Sequence, residues 1–175
     1  MSSDAQVIFI LLEMVKRIIL ITGFAHDGKS TLANKIAQEQ HINIYALADV
    51  LKEMTKDVYN LMKIPFPSRK EDVRYFYQHL GTEICRKHFG EDIWCEVLDK
   101  KIANDPNEWC IISDVRFLNE HAYFLRKYPN SITIRARCKN RIPIWTGNHA
   151  SEQDIEKIHA DFVYEWTQNI FDRQP

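Results

Sequence analysis

The chain has 175 residues, of which 45% are hydrophobic and 27% charged, so it is long enough for one domain with a substantial core. A formal net charge of −1 argues against a protein that binds a nucleic acid polymer over its whole surface, and any basic site must be local. The four cysteines show neither CxxC spacing nor a zinc-like pairing with histidine, which favours reduced thiols inside a cell.

The N-terminal region is apolar only over residues 7–12, "VIFILL". This run is far shorter than the roughly 20 residues that span a bilayer. Asp4 is the only charged residue before it, whereas a secretory signal begins with basic residues. We therefore expect neither a membrane segment nor a targeting segment. Residues 1–13 are predicted to be an extension, and residues 14–175 the folded domain.

Strand-like and helix-like patterns alternate along the rest of the chain. "RIILIT" is a continuous β-branched run, as expected for a strand that is covered on both faces. Such alternation predicts βαβ units and a mainly parallel sheet flanked by helices. The predicted strands cover residues 17–22, 42–47, 109–113, 131–137 and 161–166. The predicted helices cover residues 29–40, 49–62, 70–90, 91–104, 117–128 and 151–159.

A phosphate-binding loop follows the first predicted strand. Gly23 and Gly28-Lys29-Ser30 match the pattern GxxxxGK[ST], between a strand and a helix as the motif requires. Glycines let the backbone fold around an anion, and the first amides of the helix point at it. Lys29 would neutralise the β- and γ-phosphates of ATP, and Ser30 would ligate Mg²⁺. The predicted donor site comprises Gly23, Asp27, Gly28, Lys29, Ser30 and Thr31, with Thr31 at the α-phosphate.

Two side chains inside this loop, His26 and Asp27, are expected to face solvent. A carboxylate pointing at a triphosphate would be repelled, so Asp27 belongs to the loop without a catalytic role.

A basic region follows the helix over residues 117–128. No acidic residue occurs between Glu120 and Glu152, yet six basic residues do. The last four of them follow a strand, which predicts a lid over residues 138–150 that closes on phosphates in transit. The alternative is a solvated basic loop. The six residues are Arg126, Lys127, Arg135, Arg137, Lys139 and Arg141. A second basic stretch, with Arg69 and Arg74, is a weaker sign of the same kind.

Several residues fall where a second substrate would bind. Asp114 and Arg116 follow the strand "WCIIS", at the edge of a parallel sheet where ligands bind. Asp114 would hold Mg²⁺ through water or contact the acceptor; a structural Asp–Arg pair is the alternative. Gly81 and Thr82 interrupt a helical pattern, which indicates either a backbone close to a ligand or a kink. Trp94 is placed either beside a base or in the core.

With the phosphate-binding loop, the segments "ALADVLKEM", "YQHLGTEICRKHFGEDIWCEVL", "ISDVRFLNE" and "NHASE" carry a family resemblance. After Met14 the chain resembles the deoxynucleoside monophosphate kinases of phages and related viruses. The resemblance implies a P-loop NTPase fold, ATP and Mg²⁺ as cofactors, and transfer of the γ-phosphoryl group to a deoxynucleoside monophosphate. It also implies a homodimer in the host cytoplasm. The resemblance implies an acceptor site, to which we add Arg69 from the second basic stretch. The predicted acceptor site comprises Lys52, Arg69, Arg74, Gly81, Thr82, Trp94, Asp114, Arg116 and Glu120.

Catalytic roles are predicted for five residues. Lys29 holds ATP, Asp114 and Arg116 organise the acceptor, and arginines of the lid spread the transition-state charge. The five are Lys29, Asp114, Arg116, Arg137 and Arg141. Two other functions share some of these signals. One is an animal-type phosphomevalonate kinase, and the other is an ATPase or nucleotide-binding module without a second substrate.

Overall fold

A five-stranded parallel sheet forms the centre of the computed structural model, which describes residues 16–140 and 153–167. The strand order is β2-β3-β1-β4-β5, and every pairing between neighbours is parallel. This is the predicted α/β fold of the P-loop type, with helices on both faces. The strands are β1 (Arg17–Thr22), β2 (Asn43–Tyr45), β3 (Trp109–Val115), β4 (Ile132–Cys138) and β5 (Phe162–Trp166).

Six α-helices and one π-helical segment connect the strands in the described ranges. The π-helical segment, His79–Arg86, continues α3 and is called the π segment below. None of the helices in those ranges is both long and apolar enough to cross a membrane. The helices are α1 (Lys29–Gln40), α2 (Leu47–Leu61), α3 (Lys70–Gln78), α4 (Lys87–Phe89), α5 (Ile93–Ala103) and α6 (Leu118–Lys127).

The helix predicted over residues 151–159 does not run to its predicted end. Of its described residues, Gln153 is α-helical and Ile155–Lys157 form a single 3₁₀ turn. Arg135 on β4 donates hydrogen bonds to the carbonyl oxygens of Ile155 and Ile158. Both carbonyl oxygens are therefore bound by β4. Ile158, which follows the 3₁₀ turn, has an extended backbone instead of a helical one. The predicted extension, residues 1–13, lies outside the described ranges.

The two faces of β1 lie in separate apolar clusters, as its uninterrupted apolar sequence predicts. Ile18 and Leu20 pack with residues of α2, α5 and α6, whereas Ile19 and Ile21 pack against α1. All four are buried. Since successive side chains of a strand point to opposite faces, a sheet covered on both sides needs this continuous pattern.

The carboxyl ends of the central strands meet at one edge of the sheet. Thr22, the last residue of β1, lies beside Val115 on β3 and beside Arg135 on β4. The loop that follows β1 and the residues that end β3 are therefore neighbours. This edge is where ligands bind in parallel α/β sheets.

All four cysteines are unpaired and buried. Burial raises the pKa of the Cys85 and Cys95 thiols and raises that of Cys110 to about 12. The thiolate is the reactive form, so we expect Ellman's reagent at pH 8 to modify the folded protein slowly. In guanidinium chloride all four thiols should react at once. Rapid reaction of Cys95 or Cys110 without denaturant would contradict this packing.

Candidate nucleotide-binding site

The phosphate-binding loop depends on two glycines for its shape. Gly23 and Gly28 have φ angles of 145° and 81°, in the region that favours glycine. A Cβ atom on Gly23 would lie 2.6 Å from the carbonyl oxygen of Ala136, and one on Gly28 would lie 2.7 Å from the indole nitrogen of Trp166. Both positions therefore exclude a side chain.

The start of α1 offers the amides that an anion needs. Its N-cap residue, Gly28, has no side chain, and no acidic residue occurs in the first turn. Lys29 is buried, and its ammonium group donates to the carbonyl oxygens of Gly23 at 2.8 Å and Phe24 at 2.6 Å. A positive charge and a helix N-terminus thus converge on one loop, and this arrangement fits a phosphate.

The expectation that Asp27 faces solvent is wrong. Its side chain is only 3% exposed, whereas His26 is exposed as expected. The carboxylate of Asp27 accepts hydrogen bonds from the backbone N–H of Phe24 at 2.9 Å and of Cys138 at 3.4 Å. Asp27 therefore braces the loop from inside and ties it to the end of β4.

A small, half-open depression of about 80 Å³ lies beside the loop, between α1 and β5. Trp166 closes one side, since its indole N–H donates to the carbonyl oxygen of Asp27 at 2.8 Å. Sequence reasoning missed Tyr164 and Trp166. The only signal was a pair of aromatic residues ending the last strand at the ligand-binding edge. The depression is lined by Gly28, Thr31, Leu32, Lys35, Tyr164 and Trp166.

Replacing Gly28 by alanine should disturb the loop for two reasons. The residue has a positive φ, and the new methyl group would meet the Trp166 ring. We expect a loss of about 1–3 kcal/mol of stability and weaker ATP binding, measured by urea unfolding and calorimetry. Gly90 also has a positive φ but nothing within 4 Å of its Cβ position. Gly90→Ala is therefore the control for backbone strain without the clash.

Asp114 holds the start of α2 from the neighbouring strand. Its two carboxylate oxygens accept the backbone N–H groups of Leu47 at 2.7 Å and Ala48 at 2.9 Å. The N-cap residue of α2, Ala46, offers no side-chain acceptor, so Asp114 serves in its place. Burial raises the pKa of Asp114, and the two amides and Arg116 partly oppose this shift.

Glu120 is buried and stabilises the turn between β3 and α6. One carboxylate oxygen accepts the backbone N–H groups of Arg116 and Phe117, and the other accepts Arg86 at 2.6 Å. Burial raises the pKa of Glu120, and these partners oppose the shift. Arg86 was missed by sequence reasoning, because a single arginine in a helical pattern carries no signal of burial.

The π segment places Gly81 and Thr82 beside α2. A Cβ atom on Gly81 would lie 3.0 Å from a methyl group of Leu51, so the close approach at Gly81 is to α2. The indole N–H of Trp94 donates to the Gly81 carbonyl at 3.1 Å, and Trp94 is 6% exposed. Of its two interpretations, the core location is the one seen. Thr82 is half-buried.

The remaining predicted cationic residues lie mainly at the surface. Lys52 pairs with Asp49 and Arg69 with Asp72 in exposed contacts, which contribute little to stability. Arg74 is exposed on α3. Arg137 and Lys139 both reach Glu165 on β5. Arg141 and most of the predicted lid lie outside the described residues.

No family model matches the chain. Over 85 residues it is 34% identical to the deoxynucleoside-5'-monophosphate kinase of Escherichia phage T5. The match covers 49% of the chain but only 30% of the phage protein. The sequence relationship thus supports the family resemblance that the motifs indicate.

Solved structures match more of the chain at lower identity. TT1252 from Thermus thermophilus is 15% identical, with a TM-score of 0.50 over 89% of this chain and 91% of that one. Shikimate kinase from Aquifex aeolicus is 17% identical, with a TM-score of 0.47 over 85% and 86%. At such identities the likeness concerns the fold alone.

Proposed function

We propose that the protein is an ATP-dependent kinase that transfers the γ-phosphoryl group to a deoxynucleoside monophosphate, giving the diphosphate and ADP. One observation carries the proposal. The end of β1, which leads into the phosphate-binding loop, pairs with the end of β3, which bears Asp114 and is followed by Arg116. The proposed donor and acceptor sites would therefore share one edge of the sheet. The relationship to the phage kinase supports the same function.

The donor side would hold ATP by its phosphates and its base. The amides at the start of α1 and the ammonium group of Lys29 would bind the β- and γ-phosphates, with Thr31 at the α-phosphate. The base would lie against the aromatic surface that Tyr164 and Trp166 supply at the depression between α1 and β5.

Mg²⁺, when bound with ATP, would supply additional positive charge at the phosphates. Ser30 is exposed at the start of α1, and its hydroxyl is the protein ligand that fits this ion. Asp114 would act through water, because each of its oxygens already accepts an amide hydrogen bond. Among the described residues no three His, Cys, Asp or Glu side chains form a metal-binding group. The phosphate oxygens of the nucleotide would supply further ligands to the ion.

The acceptor side would bring one phosphate oxygen in line with the γ-phosphorus. That oxygen forms the new P–O bond as the bond to the bridging oxygen of ADP breaks, so no general base is required. Arg116 and Arg74 would hold the acceptor phosphate, with Lys52 and Thr82 nearby. Arg137, near the end of β4, and Arg141, in the predicted lid, would spread the transition-state charge, and closure of the lid would exclude water.

The experiment that tests the function is an ADP-release assay in the presence of each deoxynucleoside monophosphate, each ribonucleoside monophosphate and phosphomevalonate in turn. We expect ADP release to depend on a deoxynucleoside monophosphate. Release that needs no acceptor would instead support an ATPase. Release that needs phosphomevalonate would support the other kinase.

Arg116→Ala should impair use of the acceptor selectively. Loss of the guanidinium group is expected to raise the KM for the deoxynucleoside monophosphate by about 10²-fold with little change in the KM for ATP. Steady-state kinetics with each substrate varied in turn measure both values. Arg126→Ala is the matched control, because Arg126 packs over Tyr123 on α6 instead of facing the edge of the sheet. Unchanged acceptor kinetics in Arg116→Ala would remove this residue from the site.

A further inference from the structure

We infer that Arg86 and Glu120 form a buried positioning pair that fixes the backbone from which Arg116 reaches the acceptor phosphate. The inference rests on the proposed function, because it gives the pair its purpose. Arg86 ends the π segment and Glu120 lies in the first turn of α6. The pair therefore joins the two parts of the proposed acceptor site, the π segment and the end of β3.

The contact between the two side chains is close and shielded from water. A guanidinium nitrogen of Arg86 donates to a carboxylate oxygen of Glu120 at 2.6 Å, and the side chains are only 7% and 4% exposed. The guanidinium carbon of Arg86 also lies 4.4 Å from the ring centre of Phe117. A second nitrogen donates to the carbonyl oxygen of Glu91 at 3.0 Å. Arg86 is thus held by three separate groups.

The other oxygen of Glu120 acts on the backbone. It accepts the N–H groups of Arg116 at 2.9 Å and of Phe117 at 3.1 Å. Two consecutive amides are therefore fixed by one carboxylate just where the chain leaves β3. The direction of the Arg116 side chain follows from this backbone. Since a misplacement of about 1 Å costs a reaction roughly 10²-fold, holding this turn has a direct effect on the acceptor.

The stability of the fold does not by itself explain a buried ion pair. Removing two charges from water is costly, and apolar residues of similar volume often stabilise a fold as well or better. Apolar residues, however, cannot accept the amides of Arg116 and Phe117. Burial raises the pKa of Glu120, whereas the two amides and the guanidinium group of Arg86 oppose this shift and so favour the charged carboxylate, which is the stronger acceptor.

The chain contains a matched control at the opposite end of α6. Asp99 on α5 is buried, and its carboxylate contacts the ammonium group of Lys127 and the hydroxyl of Tyr128. Because α6 begins at the ligand-binding edge and ends at Lys127, this cluster lies away from the site. A loss of stability alone would affect both clusters alike, whereas loss of positioning would concern Glu120 only.

The test compares Glu120→Gln with Asp99→Asn in the full chain. The amide NH₂ group of glutamine cannot accept hydrogen bonds, so Glu120→Gln must give up either Arg86 or the backbone amides. We expect its acceptor KM to rise about tenfold or more while the ATP KM stays within about twofold. Exchange of the Arg116 and Phe117 amides, followed by NMR or mass spectrometry, should accelerate about tenfold. Asp99→Asn should change neither.

Arg86→Lys guards against a variant that does not fold, because lysine keeps the buried charge but lacks the planar fork. Arg86→Lys should show the same rise in acceptor KM as Glu120→Gln and the same acceleration of exchange at the Arg116 and Phe117 amides. If both Glu120→Gln and Arg86→Lys keep the acceptor KM and the slow exchange, the positioning role is wrong. An equal KM change in Asp99→Asn would also overturn it. If the wild-type chain phosphorylates no monophosphate, the proposed function fails. Amide exchange then still tests whether Arg86 and Glu120 fix the turn between β3 and α6.

Discussion

Replacing Lys29 by methionine is expected to reduce phosphoryl transfer by about 10³-fold or more. The ammonium group lies on the phosphate-binding loop, where it contacts the carbonyl oxygens of Gly23 and Phe24. Methionine keeps a flexible apolar stem of similar length but removes the charge that would neutralise the β- and γ-phosphates. The measurement is single-turnover transfer at saturating ATP, so that weaker binding does not hide the effect on the chemical step.

The control for Lys29→Met is Lys100→Met. Lys100 is exposed on α5, where its side chain contributes nothing to the proposed site. Its substitution should leave transfer and the melting temperature unchanged. A Lys29→Met variant that is folded and nearly as active as the wild type would refute the donor site, since no other lysine or arginine occurs in the loop.

Replacing Asp114 by alanine should weaken both the fold and the acceptor site. Two partly buried amides of α2, those of Leu47 and Ala48, would lose their acceptors. Loss of a helix cap and of two hydrogen bonds to a charged group is expected to cost about 3 kcal/mol of unfolding free energy. Because α2 carries Lys52 and contacts Gly81, acceptor use should fall as well. Urea unfolding and the acceptor KM measure the two effects separately.

Asp49 supplies the comparison for Asp114. It lies in the first turn of the same helix but forms an exposed ion pair with Lys52. Asp49→Ala should cost less than about 1 kcal/mol. A similar loss of stability in Asp114→Ala and Asp49→Ala would show that α2 is stabilised by negative charge near its N-terminus. The specific hydrogen bonds from Asp114 on β3 would then not be the cause.

The fold was predictable where local sequence decides it. β1 and α1 have the bounds that their apolar patterns and the glycines of the loop indicate. The last strand was predicted from six residues, and it forms beside β4. In each case the signal comes from neighbours in sequence. The order of the strands, by contrast, depends on which surfaces fit together, and a single sequence does not display this.

The site was less predictable because its key contacts join distant residues. The bond from Ala48 to Asp114 spans 66 positions, and the bond from Arg86 to Glu120 spans 34. Motif spacing cannot tell whether such a carboxylate faces a ligand or a backbone amide. Asp27 illustrates the same limit on a smaller scale. Its charge suggested a side chain exposed to solvent. The side chain is instead buried, where it accepts a hydrogen bond from the amide of Cys138, 111 positions away.

The contact between Trp166 and the phosphate-binding loop has a consequence for folding during translation. The glycine-lysine motif lies near the beginning of the chain, yet its covering aromatic ring is supplied by the fifth strand. A nascent polypeptide would carry the whole motif long before it could assemble the finished pocket. Capture of nucleotide during translation should therefore wait until the sheet is complete, and bound ATP would then stabilise the newly folded chain.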